Sequence, residues 1–132
     1  MKPIANIDQA IYDALTANPE VVALLGNFSN SDDPEYTPVA IAAGTLPENY
    51  SIPGEKAFIV FNLESASPVG SETRTHLQNL SLKFFVGGQG ASNLIEILMG
   101  QLDGTQLYNY VISYRGFNML PDGNITIRFN LI

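Results

Sequence analysis

The amino-acid sequence predicts an α+β fold, in which a mainly antiparallel sheet of about four to five strands carries about two or three helices on one face. Three observations predict it. Apolar residues recur at helical spacing near the N-terminus and again after residue 90, two later segments alternate with period 2, and a Pro-Asp-Gly turn precedes the last strand. The 132 residues fit a single domain, 1–132, without internal repeats.

Two helices are predicted to open the chain. The apolar residues of 7–17 fall on one side of a helix, and the polar residues fall opposite. Asn18 then has the side chain and position of an N-cap, because a proline and a glutamate follow it. We expect this second, short helix to end at Gly26 in the left-handed conformation.

The segment 27–55 is predicted to be a long surface connection with a short edge strand near 39–42, because four prolines interrupt its polar residues. Connections of this length are usually functional or mobile. A calcium site is an alternative interpretation of its carboxylates, although Pro34 interrupts the regular alternation of ligands that calcium loops need. The acidic cluster consists of Asp32, Asp33 and Glu35.

Four further strands are predicted. Residues 56–62 are almost continuously apolar, which indicates a central strand covered on both faces. Residues 80–86 and 125–131 alternate between apolar and polar types, which is typical of half-buried strands, and 110–115 is the expected antiparallel neighbour of the last strand. The polar segment 64–75 is predicted to be a wide hairpin arm or a loop.

A third helix is predicted to run to about Asp103, with Ser92 or Asn93 as its N-cap and Gly104 as its stop. Its apolar residues cover about 200° of the circumference, more than one sheet face needs. This breadth has two interpretations. The helix is either deeply buried in the core, or one of its edges packs on another subunit.

Few residues suggest catalysis. The single histidine, His76, could act as a general base, but no Gly-x-Ser-x-Gly motif accompanies it, and an exposed histidine at a strand edge is the simpler interpretation. The glycines before the third helix resemble a phosphate-binding loop, yet the Lys-Ser/Thr ending is missing, and a strand-to-helix turn is simpler. These glycines are Gly87, Gly88 and Gly90. We therefore predict no enzyme activity and no cofactor or metal.

The composition narrows the partners. The chain has 13 Asp and Glu against 6 Lys and Arg, which gives a net charge of −7. This balance disfavours attachment to nucleic acid or to an anionic membrane. The absence of cysteine excludes a disulfide framework and thiolate sites. Because no run of about 18 apolar residues and no signal-peptide pattern occurs, we expect a soluble intracellular protein.

The charge is also unevenly distributed along the chain. Residues 1–72 hold ten acids and two bases, whereas residues 73–132 hold three acids and four bases. One surface is therefore expected to be much more acidic than another. The excess of carboxylates either keeps the protein soluble or forms a negative face that meets a partner or repels a polyanion.

Taken together, the order of elements is similar to that of a known family. The segments concerned are Gln9–Gly26, the Leu46-Pro47 segment that leads to Pro53, Phe58–Phe61, the strand 80–86, the helix 94–102 and the terminal strands. They resemble the small tail-completion proteins of long-tailed bacteriophages and prophages, the tail terminator or head-to-tail joining family. The resemblance covers nearly the whole chain and consists of element order and apolar spacing.

This resemblance implies a structural role without catalysis. Copies of the chain would form a six-membered ring on the tail tube, stop tube polymerisation and provide the surface on which the head connector docks. The implied partners are the chain itself, the tail tube protein and the head connector, while DNA passes through without being gripped. The implied location is the host cytoplasm during assembly and then the virion tail.

From this role we derive hypotheses about individual residues. Phe85, Leu94 and Met99 are expected near subunit contacts, and an edge strand or the 62–75 arm is expected to add to the neighbouring sheet. Competing hypotheses are a head-closure or other minor tail protein, and an unrelated α+β module with a small-ligand pocket. The acidic residues expected to face the lumen or the connector are Asp32, Asp33, Glu35, Glu64 and Glu72.

Overall fold

The computed structural model describes residues 7–66, 79–107 and 110–132 and confirms the α+β fold. In these residues, six strands form one sheet in the order β2-β4-β5-β8-β7-β6, and β1 pairs with β3 in a second sheet. The elements are α1 (Ile7–Thr16), α2 (Pro19–Leu24), β1 (Ser29–Asn30), β2 (Ile41–Ala43), β3 (Tyr50–Ser51), β4 (Phe58–Ala66), β5 (Asn79–Gly87), α3 (Ala91–Leu102), β6 (Gln106–Leu107), β7 (Tyr110–Met119) and β8 (Ile125–Leu131).

The structure has more strands than the predicted four to five. The additional strands were not predicted because they are very short. The outer strands of the large sheet, β2 and β6, have three and two residues, too few to show a period in the sequence. β2 runs parallel to β4, and the other neighbouring pairs of the large sheet are antiparallel. The prediction of a mainly antiparallel sheet is therefore confirmed.

Strands β4 and β5 form a longer hairpin than the sequence predicts. Their pairing continues to Ala66 opposite Asn79, so the predicted arm at 64–75 begins as regular sheet. Residues 67–75, including Glu72, lie outside the described part of the chain, as does His76. The predictions made for these two side chains are therefore not addressed by the structure.

The core lies between the three helices and one face of the large sheet, which we call the helix face. Phe84 on β5 is fully buried at its centre. The Phe84 ring lies 5.8 Å from that of Phe61, and it meets the ring of Phe129 edge-on at 5.7 Å. The strand residues that alternate onto this face are Leu80, Leu82, Phe84, Val86, Ile125, Ile127, Phe129 and Leu131.

The opposite face, which we call the open face, is covered by other described residues at the β2 side of the sheet. There Phe28 and Phe58 are buried together with Ala40, and the rings of Tyr50 and Phe85 pack against them. The segment 27–55 is thus more structured than the predicted surface connection. Sequence periodicity does not show this second cluster, because Phe28 and Ala40 come from irregular chain before β1 and β2 and pack on side chains of β4 and β5.

The predicted left-handed Gly26 is wrong. Helix α2 ends at Leu24, Leu25 is extended with φ −82° and ψ 144°, and the N–H of Gly26 donates to the carbonyl of Ala57. A Cβ on Gly26 would overlap the ring of Pro53. The glycine is therefore needed because two chain segments approach closely, not because the helix turns left-handed.

The predicted side-chain cap of helix α3 is also wrong. The helix begins at Ala91, and its N-cap is Gly90 with φ +88° and no side-chain hydrogen bond. Ser92 and Asn93 instead lie exposed in the first turn. The helix starts before either residue because the tight turn after β5 ends at Gly90, and glycine adopts the left-handed conformation of this position without strain.

One polar side chain of α3 bonds both the end of α1 and the cap of α2. Gln101 on α3 donates from Nε2 to the carbonyl of Ala14 at 3.0 Å, and its Oε1 accepts from Nδ2 of Asn18 at 2.8 Å. Asn18 is also the N-cap of α2, as predicted, since its Oδ1 accepts from the N–H of Glu20. Gln101 therefore sets the position of the α1–α2 corner.

We expect Gln101→Ala to lower the free energy of unfolding by about 1–3 kcal/mol, because the half-buried amide of Asn18 and the carbonyl of Ala14 lose their partner. Urea unfolding followed by circular dichroism measures the change. Gln9→Ala is the matched control, since Gln9 is exposed and bonds only Asp13 on the same helix. Equal losses for the two variants would contradict this role of Gln101.

Candidate functional site

The described residues contain no cluster of side chains that could bind a metal ion, since no group of three or more His, Asp or Glu in residues 7–66, 79–107 and 110–132 is placed to hold one. Gly87, Gly88 and Gly90 form a tight strand-to-helix turn, in which Gly88 packs directly on the carbonyl of Lys56.

The acidic cluster lies in the loop after β1. Asp32, Asp33 and Glu35 are all exposed. Oδ1 of Asn30 accepts from the N–H groups of Asp32 and Asp33 at 2.9 and 3.2 Å, and also from Nδ2 of Asn49 at 2.9 Å. One asparagine thus ties the start of the loop to the segment before β3. We call residues 31–36 the acidic loop.

The residues proposed for subunit contacts lie in different surroundings. Leu94 is fully buried in the core, so its side chain offers no surface to a partner. Phe85 is half-buried on the open face against Phe58, with 6.1 Å between the ring centroids. Met99 is half-buried at the margin of α3. Glu64 is exposed on β4, away from the acidic loop.

The outer edge of β7 is a surface that the sequence analysis missed. β6 covers only its first two residues, and Tyr114 donates its N–H to Oδ1 of Asp103 at 3.0 Å. Beyond Tyr114, no strand of the described residues pairs with this edge. Phe117 and Met119 lie along it with 56% and 59% of their surface exposed. Unpaired edges with apolar side chains readily add strands from other chains.

A β-bulge explains why the strand predicted at 110–115 is shorter than the observed β7. Tyr114 pairs with Phe129 and Gly116 with Arg128, so Arg115 is the extra residue. The extra residue breaks the period-2 pattern, and the alternation resumes only at Phe117. The isolated Gly116 was the one signal in the sequence that could have revealed the longer strand, because a glycine inside a strand pattern indicates a bulge.

Beside the bulge, the open face carries three cationic side chains in a protein of net charge −7. Lys83 on β5 lies directly opposite Arg128 on β8, and Arg115 and Arg128 both line a shallow cavity of about 260 Å³. We call this site the basic pocket. The residues lining its cavity are Arg115, Gly116, Phe117, Asn118, Thr126 and Arg128.

The two sides of the sheet therefore differ in charge. The segment 27–64, on the β2 side, contains six acids and one base, a formal charge of −5. The β7–β8 hairpin, residues 110–132, contains two arginines and one aspartate, and Asp103 adds a second carboxylate beside Tyr114, so the formal charge there is 0. The charge, which the sequence predicts to be uneven along the chain, thus differs between the β2 side and the β7 side at opposite ends of one sheet.

Comparison with known proteins adds no assignment, since no protein family, curated protein or solved structure matches the chain. No helix among the described residues has the length and apolar character needed to cross a membrane. The geometry of the two unlike sheet sides is therefore the basis for a functional proposal.

Proposed function

We propose that this chain is a tail-completion protein of a bacteriophage or prophage. In this proposal, copies of the chain form a ring, a hexamer by resemblance, on the end of the tail tube. The ring stops tube polymerisation and provides the surface for the head connector. The observation that supports the proposal is the apolar edge of β7, with which no strand of the described residues pairs beyond Tyr114, at the end of the sheet away from an acidic β2 side.

A ring requires two different surfaces on each copy. In cyclic assemblies larger than dimers, one patch meets a different patch on the next copy, and the rotation closes the ring. The β7 side and the β2 side are two such patches at opposite ends of one sheet. The excess of carboxylates on the β2 side and the arginines of the basic pocket favour contact between unlike sides.

The acidic excess is consistent with the passage of DNA. Carboxylates that face a lumen repel the phosphate backbone, and the duplex can then slide without being gripped. Glu64 on the exposed end of β4 is one candidate for this role. For Glu72, which lies outside the described residues, the same role is inferred from its position in the sequence alone.

Addition of the purified protein to growing tail tubes tests the function. We expect it to stop elongation, so that electron micrographs show tubes of shorter and more uniform length. The double variant Phe117→Ser with Met119→Ser should need an at least about tenfold higher concentration for the same effect, because it removes the apolar part of the edge.

The control variant replaces an exposed apolar residue elsewhere, Val22→Ser on α2, and should cap tubes normally. Unchanged tube growth with the unmodified protein would contradict a terminator role. If the protein bound purified head connectors instead, the head-closure hypothesis would replace it.

A further inference from the structure

We propose that the basic pocket binds the acidic loop of the next copy in the ring. The proposal rests on the proposed function only in assuming that copies associate head to tail. It assigns Asp32, Asp33 and Glu35 to a contact between subunits in place of the lumen. The occupant of the pocket is thus a second copy of this chain.

Among the residues that the structure describes, the cations of the basic pocket have no anionic partner. Lys83 and Arg128 are like charges directly opposite each other on neighbouring strands, an arrangement that destabilises a sheet. In the described part of the chain, neither they nor Arg115 form an ion pair with a carboxylate. An external anion would relieve this repulsion.

The small volume and the polar groups of the pocket favour a side chain over a small molecule. Its volume of about 260 Å³ is below the range of about 300–1,000 Å³ that is usual for ligand sites. Asn118 and Thr126 add hydrogen-bonding groups beside the two guanidinium groups. Arginine side chains bind carboxylates through paired N–H groups, and the acidic loop presents three carboxylates.

The two features lie where a head-to-tail contact would bring them together. The basic pocket is on the open face at the β7 side. The acidic loop leaves β1, which packs on the same face at the β2 side through Phe28. When the β7 side of one copy meets the β2 side of the next, the loop therefore approaches the pocket.

The simplest alternative is a two-fold dimer through the β7 edges, in which the same patch of each copy meets itself. Such a dimer would leave the acidic loop far from the basic pocket, whereas the head-to-tail contact joins opposite charges. The exposed side chain of Phe117 lines the pocket and would be covered in the same contact.

Two complementary variants test the proposal. The first, Arg115→Glu with Arg128→Glu, makes the pocket acidic, and the second, Asp32→Lys with Asp33→Lys, makes the loop basic. Sedimentation velocity at low ionic strength measures self-association. We expect each variant alone to have a dissociation constant at least about tenfold higher than the unmodified protein, because like charges then face each other.

An equimolar mixture of the two variants should recover association, because acidic pockets then meet basic loops and basic pockets meet acidic loops. A ring with an even number of copies can alternate them. Recovery also shows that both variants are folded. The control, Asp8→Lys with Glu20→Lys, changes the net charge as the loop variant does and should associate at least as well as the unmodified protein.

The proposal is overturned if the unmodified protein stays monomeric at low ionic strength. It is equally overturned if either variant associates normally, or if their mixture remains dissociated. These results are separable from the proposed function. Tube capping by the unmodified protein together with normal association of the charge variants would retain the function and remove this contact, whereas recovery in the mixture without capping would do the opposite.

Discussion

Replacing Phe84 by alanine is expected to lower the free energy of unfolding by about 3–5 kcal/mol, the largest effect that we predict for a single side chain. Phe84 is fully buried, and its ring contacts those of Phe61 and Phe129. Its truncation removes these contacts and leaves a cavity between the sheet and the helices. Urea unfolding monitored by circular dichroism gives the change directly.

The matched control is Phe117→Ala, which deletes the same atoms at an exposed position. We expect it to change the free energy of unfolding by no more than about 0.5 kcal/mol. It should nevertheless weaken association of the copies. If Phe117→Ala destabilised the fold as much as Phe84→Ala, the β7 edge would belong to the core and not to a contact surface.

Gly88→Ala is expected to be the second most damaging substitution, with a loss of about 2–4 kcal/mol. Gly88 has φ +87°, a conformation that costs L-residues energy. A Cβ there would also overlap the backbone carbonyl oxygen of Lys56, which cannot move without disturbing the start of β4. Thermal and urea unfolding of the variant measure the loss.

The variant Gly104→Ala separates the two causes of the loss expected for Gly88→Ala, the left-handed backbone conformation and the overlap with Lys56. Gly104 has nearly the same backbone angle, φ +83°, but a Cβ there would meet no atom within 4 Å. We expect it to lose about 1–2 kcal/mol, the cost of the left-handed conformation alone. Equal losses at the two glycines would show that the close approach of β4 and the turn after β5 contributes nothing.

The long periodic elements could be predicted from the sequence. Helix α1 and strands β5 and β8 match their predictions to within about two residues, because each buries one face along its whole length. The strands β2 and β6 were missed or only partly anticipated because they are short. Their pairing depends on neighbours far away in the chain, which single-sequence periodicity does not report.

The candidate site was harder to predict than the fold. The basic pocket depends on the register that places Lys83 opposite Arg128, two residues separated by more than forty positions. Arg115 joins them through a bulge that interrupts the pattern of its strand. The acidic loop, in contrast, was visible in the sequence because its three carboxylates are consecutive or nearly so.

The bulge in β7 has a consequence for the risk of aggregation. A flat, exposed and apolar strand edge can template the stacking of identical strands into a cross-β fibre. An extra residue bends such an edge and increases its twist, so identical copies cannot continue in a straight ladder. The irregularity at Arg115 and Gly116 should therefore lower the tendency of the free protein to form amyloid.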